Sequence, residues 1–376
     1  MKKGTLIAMS ALFAVIGCKK ETLEVVIVND EDAKEVWFED IASNVKVVPL
    51  ISEEPIGSIR SILCNGNEVM ALDNDKATIY YFDKGALISK MNHLGRGRGE
   101  YLEIKRFTYS PLHKELYVTS GKDILRYSVP RMQYVGTIEV DGLINYLSIH
   151  DEKNFFVAIN IGTKAYTALI DINTGKVTKK IEEITPYASE ESDYSMSCYT
   201  MQNHYYAIED NINTIVALDK HNEIRTLLKY NFGDKSIPAK YLNYDRGDFD
   251  KLTEYFQYMI DNGSTRLQGN QLIRVDNDDV SFWYYYSMQP TIKFYYRYNT
   301  KTNTSTNLKG FRIKGINRPV MPAALSDSGY VTLFEGDPGW YKTDEEPSSL
   351  ATTILEKMKN QELNNPVLIY YDIETN

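Results

Sequence analysis

The chain has 376 residues and a formal net charge of -9, with 51 acidic against 42 basic side chains. That length allows one large or two medium domains. The acidic excess argues against a nucleic-acid partner, which is held by basic patches that displace phosphate counterions.

The first segment reads as an address. Lys2 and Lys3 form a short positive region, and Leu6 to Ile16 is apolar apart from Ser10. This run is about half of the ~20 residues that a helix needs to cross a bilayer, so it reads as a secretory signal. It ends in Val15-Ile16-Gly17-Cys18, which resembles the bacterial lipobox. The resemblance implies a signal peptide over 1–17, removed before Cys18, and acylation of that cysteine. A membrane is then a partner through lipid, and the expected location is the cell envelope, at the outer membrane. Loss of Lys2 and Lys3 takes the formal charge to -11 (-9 minus 2). Residues 18–43 are charged and weakly patterned, and read as a tether.

From residue 44 onward the apolar pattern is short and of period two. Ser61 to Cys64, Val69 to Leu72 and Ile79 to Phe82 are separated by Asn65-Gly66-Asn67 and Asp73-Asn74-Asp75-Lys76, residues that tolerate positive φ. The 29 tyrosines, with Val, Ile and Thr, favour strands. An apolar strand with a polar end recurs at 79–83, 124–128, 168–171, 215–219, 295–299 and 368–372. The first four copies end 45, 43 and 48 residues apart, the length of a four-stranded propeller blade. The last two steps are 80 and 73 residues, each a blade plus an insertion of about 30 residues. Six copies predict six blades over 44–376, with insertions near 231–268 and 335–366. Blade six lacks its outer strand at the C-terminus. Val45 to Leu50 is expected to supply it, closing the ring and removing a free edge. The predicted class is therefore all-β: a six-bladed β-propeller closed by an N-terminal strand, with both insertions on one face.

Three motifs resemble a known family, the six-bladed β-propeller lipoproteins of Bacteroidetes, distantly similar to NHL-type propellers. They are Gly95-Arg96-Gly97-Arg98-Gly99-Glu100-Tyr101, Pro55-Ile56-Gly57-Ser58-Ile59 and Asn365-Pro366-Val367-Leu368-Ile369-Tyr370-Tyr371. The resemblance covers nearly the whole mature chain and implies the fold; it carries little chemistry. The glycine loop has neither the spacing nor the following helix of a dinucleotide site. Its glycines read as a sharp turn between blades.

In a propeller the turns between second and third strands share one face with the links between blades. The 95–101 loop and both insertions therefore fall together. Loops on a rigid scaffold are where binding usually sits. The ligand-facing candidates are Arg96, Arg98, Glu100, Tyr101, Tyr241, Tyr244, Trp283, Tyr285, Trp340 and Tyr341. Phe249, Leu252, Phe256, Met259 and Ile260 make one helical stripe, and Leu350, Ile354, Leu355 and Met358 another; both are expected to pack on the propeller.

Catalysis finds little support. His93, His113, His150, His204 and His221 do not converge at the mouth of the channel, so no metal ring can be assembled. No G-x-S-x-G elbow occurs. Asp73-Asn74-Asp75 offers oxygen ligands for calcium but reads more simply as a turn. Cys64 and Cys198 fall on innermost strands of opposite blades and are expected to be separate thiols. The reading is a non-enzymatic envelope lipoprotein without cofactor that binds a glycan, peptide or protein. The alternative is a hydrolase or lyase with carboxylates at the channel mouth.

Overall fold

The computed structural model describes residues 23–73, 75–161, 164–184, 204–208, 213–218, 221–241, 249–327, 329–359 and 365–374. Residues 1–17, read as a signal peptide, and Cys18, Cys198 and Tyr244 lie outside the described residues.

Six antiparallel sheets form six blades. Blade one runs Ile59–Asn65, Glu68–Asp73, Thr78–Asp83 and Ala86–Met91, from inner strand A to outer strand D. Blades two and three span Phe107–Ser110 to Gln133–Glu139 and Leu143–Ile149 to Val177–Ile184. Blade four shows His204–Ile208, Asn213–Leu218 and Ile224–Asn231; its expected inner strand lies outside the described residues. Blade five runs from Leu267–Asp276 to Thr304–Arg312. Blade six takes Pro322–Ser326, Gly329–Phe334 and Val367–Ile373 from the C-terminal end and Ala42–Pro49 from the N-terminal end.

The middle strands are not half-exposed. Both of their faces are buried, so alternation sorts side chains between two neighbouring blades and not between core and water. Val69 and Ala71 pack towards blade six, whereas Met70 and Leu72 pack towards blade two. Phe155 and Val157 face blade two, and Phe156 and Ala158 face blade four. Together with the blade four–five and five–six clusters around Tyr230–Phe282 and Trp283–Tyr330, this gives a core between every pair of adjacent blades. A closed ring follows, because each sheet needs an apolar partner on both faces.

The N-terminal segment differs from the expected tether over 18–43. Strand β1 (Val25–Ile27) adds in parallel to the outer strand of blade four, and β2 (Lys34–Trp37) adds in parallel to that of blade five. Between them Val28 and Asp30 are buried. The Asp30 carboxylate takes the Lys235 ammonium and the Tyr286 hydroxyl. Burial by itself raises the Asp30 pKa, but those two hydrogen bonds outweigh it and hold the group below its usual value. Strands of three and four residues are too short to show a period, which is why the sequence reads them as unpatterned. Strand β3 (Ala42–Pro49) then pairs antiparallel with Val367–Ile373, from Pro49 opposite Val367 to Ala42 opposite Ile373. It is the predicted ring-closing strand.

The link from β3 into blade one is tied down at both ends. Ile51 N–H donates to the Gly85 carbonyl at 2.7 Å, and Gly85, at φ +85°, lies so close to the Pro49 carbonyl that a Cβ would reach within 2.5 Å of it. Further along, the Ile56, Gly57 and Ile59 amides donate to Asn365, Asp73 and Glu335 at 3.2, 3.0 and 3.1 Å. Two of those acceptors come from blade six and one from blade one, so the motif 55–59 staples the first blade to the last.

Cys64 is a free thiol, with the Tyr370 hydroxyl 3.9 Å from its sulfur. Burial pushes its pKa up to about 12. Since the thiolate is the reactive form, iodoacetamide at pH 8 should modify Cys64 more slowly in the folded protein than in urea. Peptide mapping after timed alkylation checks this, and equal rates would contradict the burial.

Candidate functional site

The antiparallel order places the B–C turns and the links between blades on one face. The 95–101 loop, the Phe249–Asn262 helix and the Ser349–Lys359 helix all belong to it. So do the exposed large apolar residues Leu94, Leu102, Phe249, Phe256, Ile260, Met288 and Trp340. In turns of the opposite face the described residues expose only Leu112 and Ile224 in this class. A concentration of apolar surface on one side of a soluble body marks an interaction surface more readily than scattered single residues do.

The Phe249–Asn262 helix is the main source. Its Tyr255 and Met259 are buried against Ile237, Tyr241 and Tyr258. Phe249, Phe256 and Ile260 lie at i, i+7 and i+11, a single stripe on the other side, and are 76%, 47% and 70% exposed. The expected stripe is thus split: Leu252 and Met259 pack inward and those three face outward. The tertiary contact is made by a side that includes Tyr255, and the helix carries apolar residues over a wider arc than one contact can cover. That width was the available signal. The Ser349–Lys359 helix behaves as expected, burying Ala351, Ile354 and Met358 in the blade five–six core, with Leu350 and Leu355 partly buried beside them.

Three sequence candidates prove to be structural. Tyr101 is buried; its hydroxyl donates to the Ala77 carbonyl at 2.9 Å and accepts from His93 N–H at 3.0 Å. Trp283 is buried on strand B of blade five, with ring centroids of Phe311 and Tyr295 at 4.7 and 5.4 Å. Tyr341 is buried and donates to the Glu335 carbonyl at 2.6 Å. Aromatic residues on strands enclosed from both sides fill blade interfaces, which is why these do not reach solvent. Arg96, Arg98 and Glu100 are exposed. The Glu100 carboxylate nevertheless folds back onto Gly97 N–H at 2.6 Å and occupies the space where Gly95 and Gly97 have no Cβ. Arg98 lies over the Tyr134 ring at 5.8 Å. The glycine loop is a self-bonded turn. Tyr241 stacks on Tyr258 at 4.3 Å, and Tyr285 carries the Lys293 ammonium 4.0 Å from its ring centre.

Trp340 is the sequence candidate that is placed as a platform. It is 70% exposed, yet its backbone is held on both sides: its N–H donates to the Asp337 carbonyl at 3.0 Å and its carbonyl accepts from Asn317 at 2.9 Å. One edge of the indole rests on Gly336, where a Cβ would come within 2.5 Å. The Asp337 carboxylate caps the short 3-10 turn Pro338–Tyr341 by accepting from Gly339 N–H at 2.7 Å.

Two carboxylates do meet beneath this face. Burial raises the pKa of Glu335, and the nearby Asp73 charge adds to that, while the Ile59 amide and Arg318 oppose it. Glu335 accepts from Ile59 N–H; Asp73 accepts from Gly57 N–H at 3.0 Å and Lys76 N–H at 3.1 Å. These oxygens are committed to the backbone of the ring closure, which leaves the pair a structural task. Both oxygens of Asp73 are thus taken by backbone amides, and Asn74 of the candidate calcium motif lies outside the described residues. Among the described residues no three His, Cys, Asp or Glu side chains converge as metal ligands.

A family model described as a domain of unknown function, DUF4934, matches residues 22–372. The chain belongs to the DUF4934 family. This DUF4934 chain is similar in fold to a protein of Bacteroides fragilis NCTC 9343 whose crystal structure is described as that of an exported protein. The two are 15% identical with a TM-score of 0.62, over 92% of this chain and 98% of that one. A member of the DUF4221 family from Bacteroides vulgatus aligns at 12% identity and a TM-score of 0.46, over 89% and 98% of the two chains. BamB from Moraxella catarrhalis aligns at 9% and 0.43, over 88% and 100%. No curated protein matches the sequence.

Proposed function

We propose that this DUF4934 protein is an exported, lipid-anchored protein of the cell envelope, held at the outer membrane, whose insertion-bearing face docks a polypeptide partner. The carrying observation is that the apolar stripe Phe249, Phe256 and Ile260 and the mounted Trp340 are all exposed on that one face. Among a glycan, a peptide and a protein, exposed phenylalanine and aliphatic side chains suit the latter two best. Phe249, Phe256 and Ile260 have no hydrogen-bonding groups to offer a sugar, and of the four only Trp340 carries a donor, its indole N–H. Export is supported by the signal over 1–17 and by the B. fragilis neighbour described as exported.

The face is tested with a photo-crosslinking residue at Phe256 or at Leu112, in living cells. A discrete crosslinked species is expected from position 256 and none from 112. Phe256→Asp together with Ile260→Asp should remove partner capture and change stability by less than about 1 kcal/mol, because both side chains are solvent-facing. Equal crosslinking from both faces would overturn the reading. The anchor is tested separately. Cys18→Ser should move the protein from the membrane fraction to the soluble fraction and abolish incorporation of labelled palmitate. A single acyl chain binds only marginally, so stable retention needs the full lipid modification.

A further inference from the structure

On the opposite face, blades five and six part to form a cleft of about 150 Å³ that plays no role in the docking surface. It is walled by Arg274, Asp276, Asp279, Ser281, Tyr295, Arg297 and Asp372, with Ile373 at one side. The two guanidinium groups are fixed in place. Arg274 spans the blades, with Nε 2.7 Å from Asp276 and Nη1 2.7 Å from Asp372. Arg297 Nη2 donates to Asp279 at 2.6 Å, and the other oxygen of Asp279 accepts from Asn299 at 2.9 Å. Arg274 Nη2 has no protein partner among the described residues.

Size and charge restrict what such a cleft accepts. A cavity of roughly 150 Å³ is on the scale that takes one benzene-sized ring, so a hydroxylated six-membered ring, with twice the heavy atoms, enters by one edge and leaves the rest in solvent. The polar, charged walls of the cleft exclude an apolar ring. Two arginines against three aspartates leave the lining close to balanced. An anion would have to compete with carboxylates already paired to the arginines, and a cation would face two guanidinium groups. A hydroxyl can donate to a carboxylate and accept from an N–H at the same time, so a neutral ring bearing several hydroxyls satisfies both kinds of wall without breaking an ion pair. We propose that the cleft between blades five and six binds a single neutral pyranose ring. This site is separate from the polypeptide-docking face and does not depend on it.

The test uses detergent-solubilised, lipidated full-length protein and the methyl α-pyranosides of glucose, galactose and mannose, with glucuronate and glucosamine as charged comparisons. Saturation-transfer NMR and calorimetry should show saturable, millimolar binding of at least one neutral pyranoside, tighter than either charged sugar. Arg297→Lys and Asp279→Asn should each weaken it tenfold or more, while Phe256→Asp leaves it unchanged. Should those cleft variants misfold, the unaltered protein still decides: the same pyranoside should slow phenylglyoxal modification of Arg274 and Arg297, mapped by mass spectrometry. Absence of saturable binding, preference for glucuronate, or modification rates indifferent to the sugar would each overturn the proposal, leaving a water-filled ion-pair cleft.

Discussion

Removing residues 1–50 should leave a chain that does not fold, whereas removing residues 1–33 should leave a folded propeller of reduced stability. The first truncation deletes β3, the strand paired with the outer edge of Val367–Ile373. It also removes Phe38, buried against Tyr371 with ring centroids 4.8 Å apart, and the wholly buried Leu50. Blade six would be left with three strands and an open edge, and the cores on both sides of it would lose part of their wall. The second truncation removes β1, the buried Val28 and Ala33, the Asn29 carbonyl that accepts from Asn307, and the contacts of Asp30 with Lys235 and Tyr286. A loss of about 2–4 kcal/mol is expected from that burial and those hydrogen bonds. The pH dependence follows from the lowered Asp30 pKa. A carboxyl with a depressed folded-state pKa contributes stability above its unfolded value and loses it as pH falls through the folded one. The difference between full-length and truncated chains should therefore shrink below about pH 4, the ordinary carboxylate range. Urea unfolding followed by circular dichroism at pH 7 and pH 3 measures both effects. A folded product from residue 51 onward would refute the closure.

Asp73→Ala should cost about 3–5 kcal/mol, the scale for stripping a buried carboxylate from the groups it satisfies. Its side chain is 0% exposed, and its two oxygens hold Gly57 N–H and Lys76 N–H, with the Lys76 ammonium 3.6 Å away. Alanine leaves two part-buried donors without their acceptor and a void at the seam between the first and last blades. Asp73→Asn keeps one acceptor and should lose roughly half as much. Gly57→Ala attacks the same contact from the other side, since a Cβ there would sit on the Asp73 carboxylate. Urea midpoints of the three variants should rank with Asp73→Asn the mildest. If Asp73→Ala unfolded within 1 kcal/mol of the parent, the staple would have no energetic weight.

The ring was legible because it is written in local chemistry repeated six times. Turn residues such as Asn65-Gly66 and Asp83-Lys84-Gly85 punctuate runs of branched and aromatic residues, and Gly66, Lys84 and Gly85 take positive φ as such turns require. The spacing of those runs gave the blade count and exposed the missing outer strand of blade six, which β3 supplies. The site was much less legible. Trp283 and Trp340 look alike in sequence, yet one is sealed between blades and the other stands in solvent on a mounted turn. Exposure depends on whether a second sheet covers that face, and the sheet comes from a distant part of the chain.

By itself, then, the sequence determined the strand period, the number of blades and the residues available for closure, since each depends on neighbours a few positions away. Only the tertiary structure decided which side of the Phe249–Asn262 helix meets water, that residues 25–37 clasp two blade edges, and that Asp73, Glu335 and Asn365 hold one seam. Those outcomes rest on contacts between residues more than 300 positions apart, as from Ile56 to Asn365. No local pattern encodes such pairings; they exist only once closing the ring buries both faces of every blade.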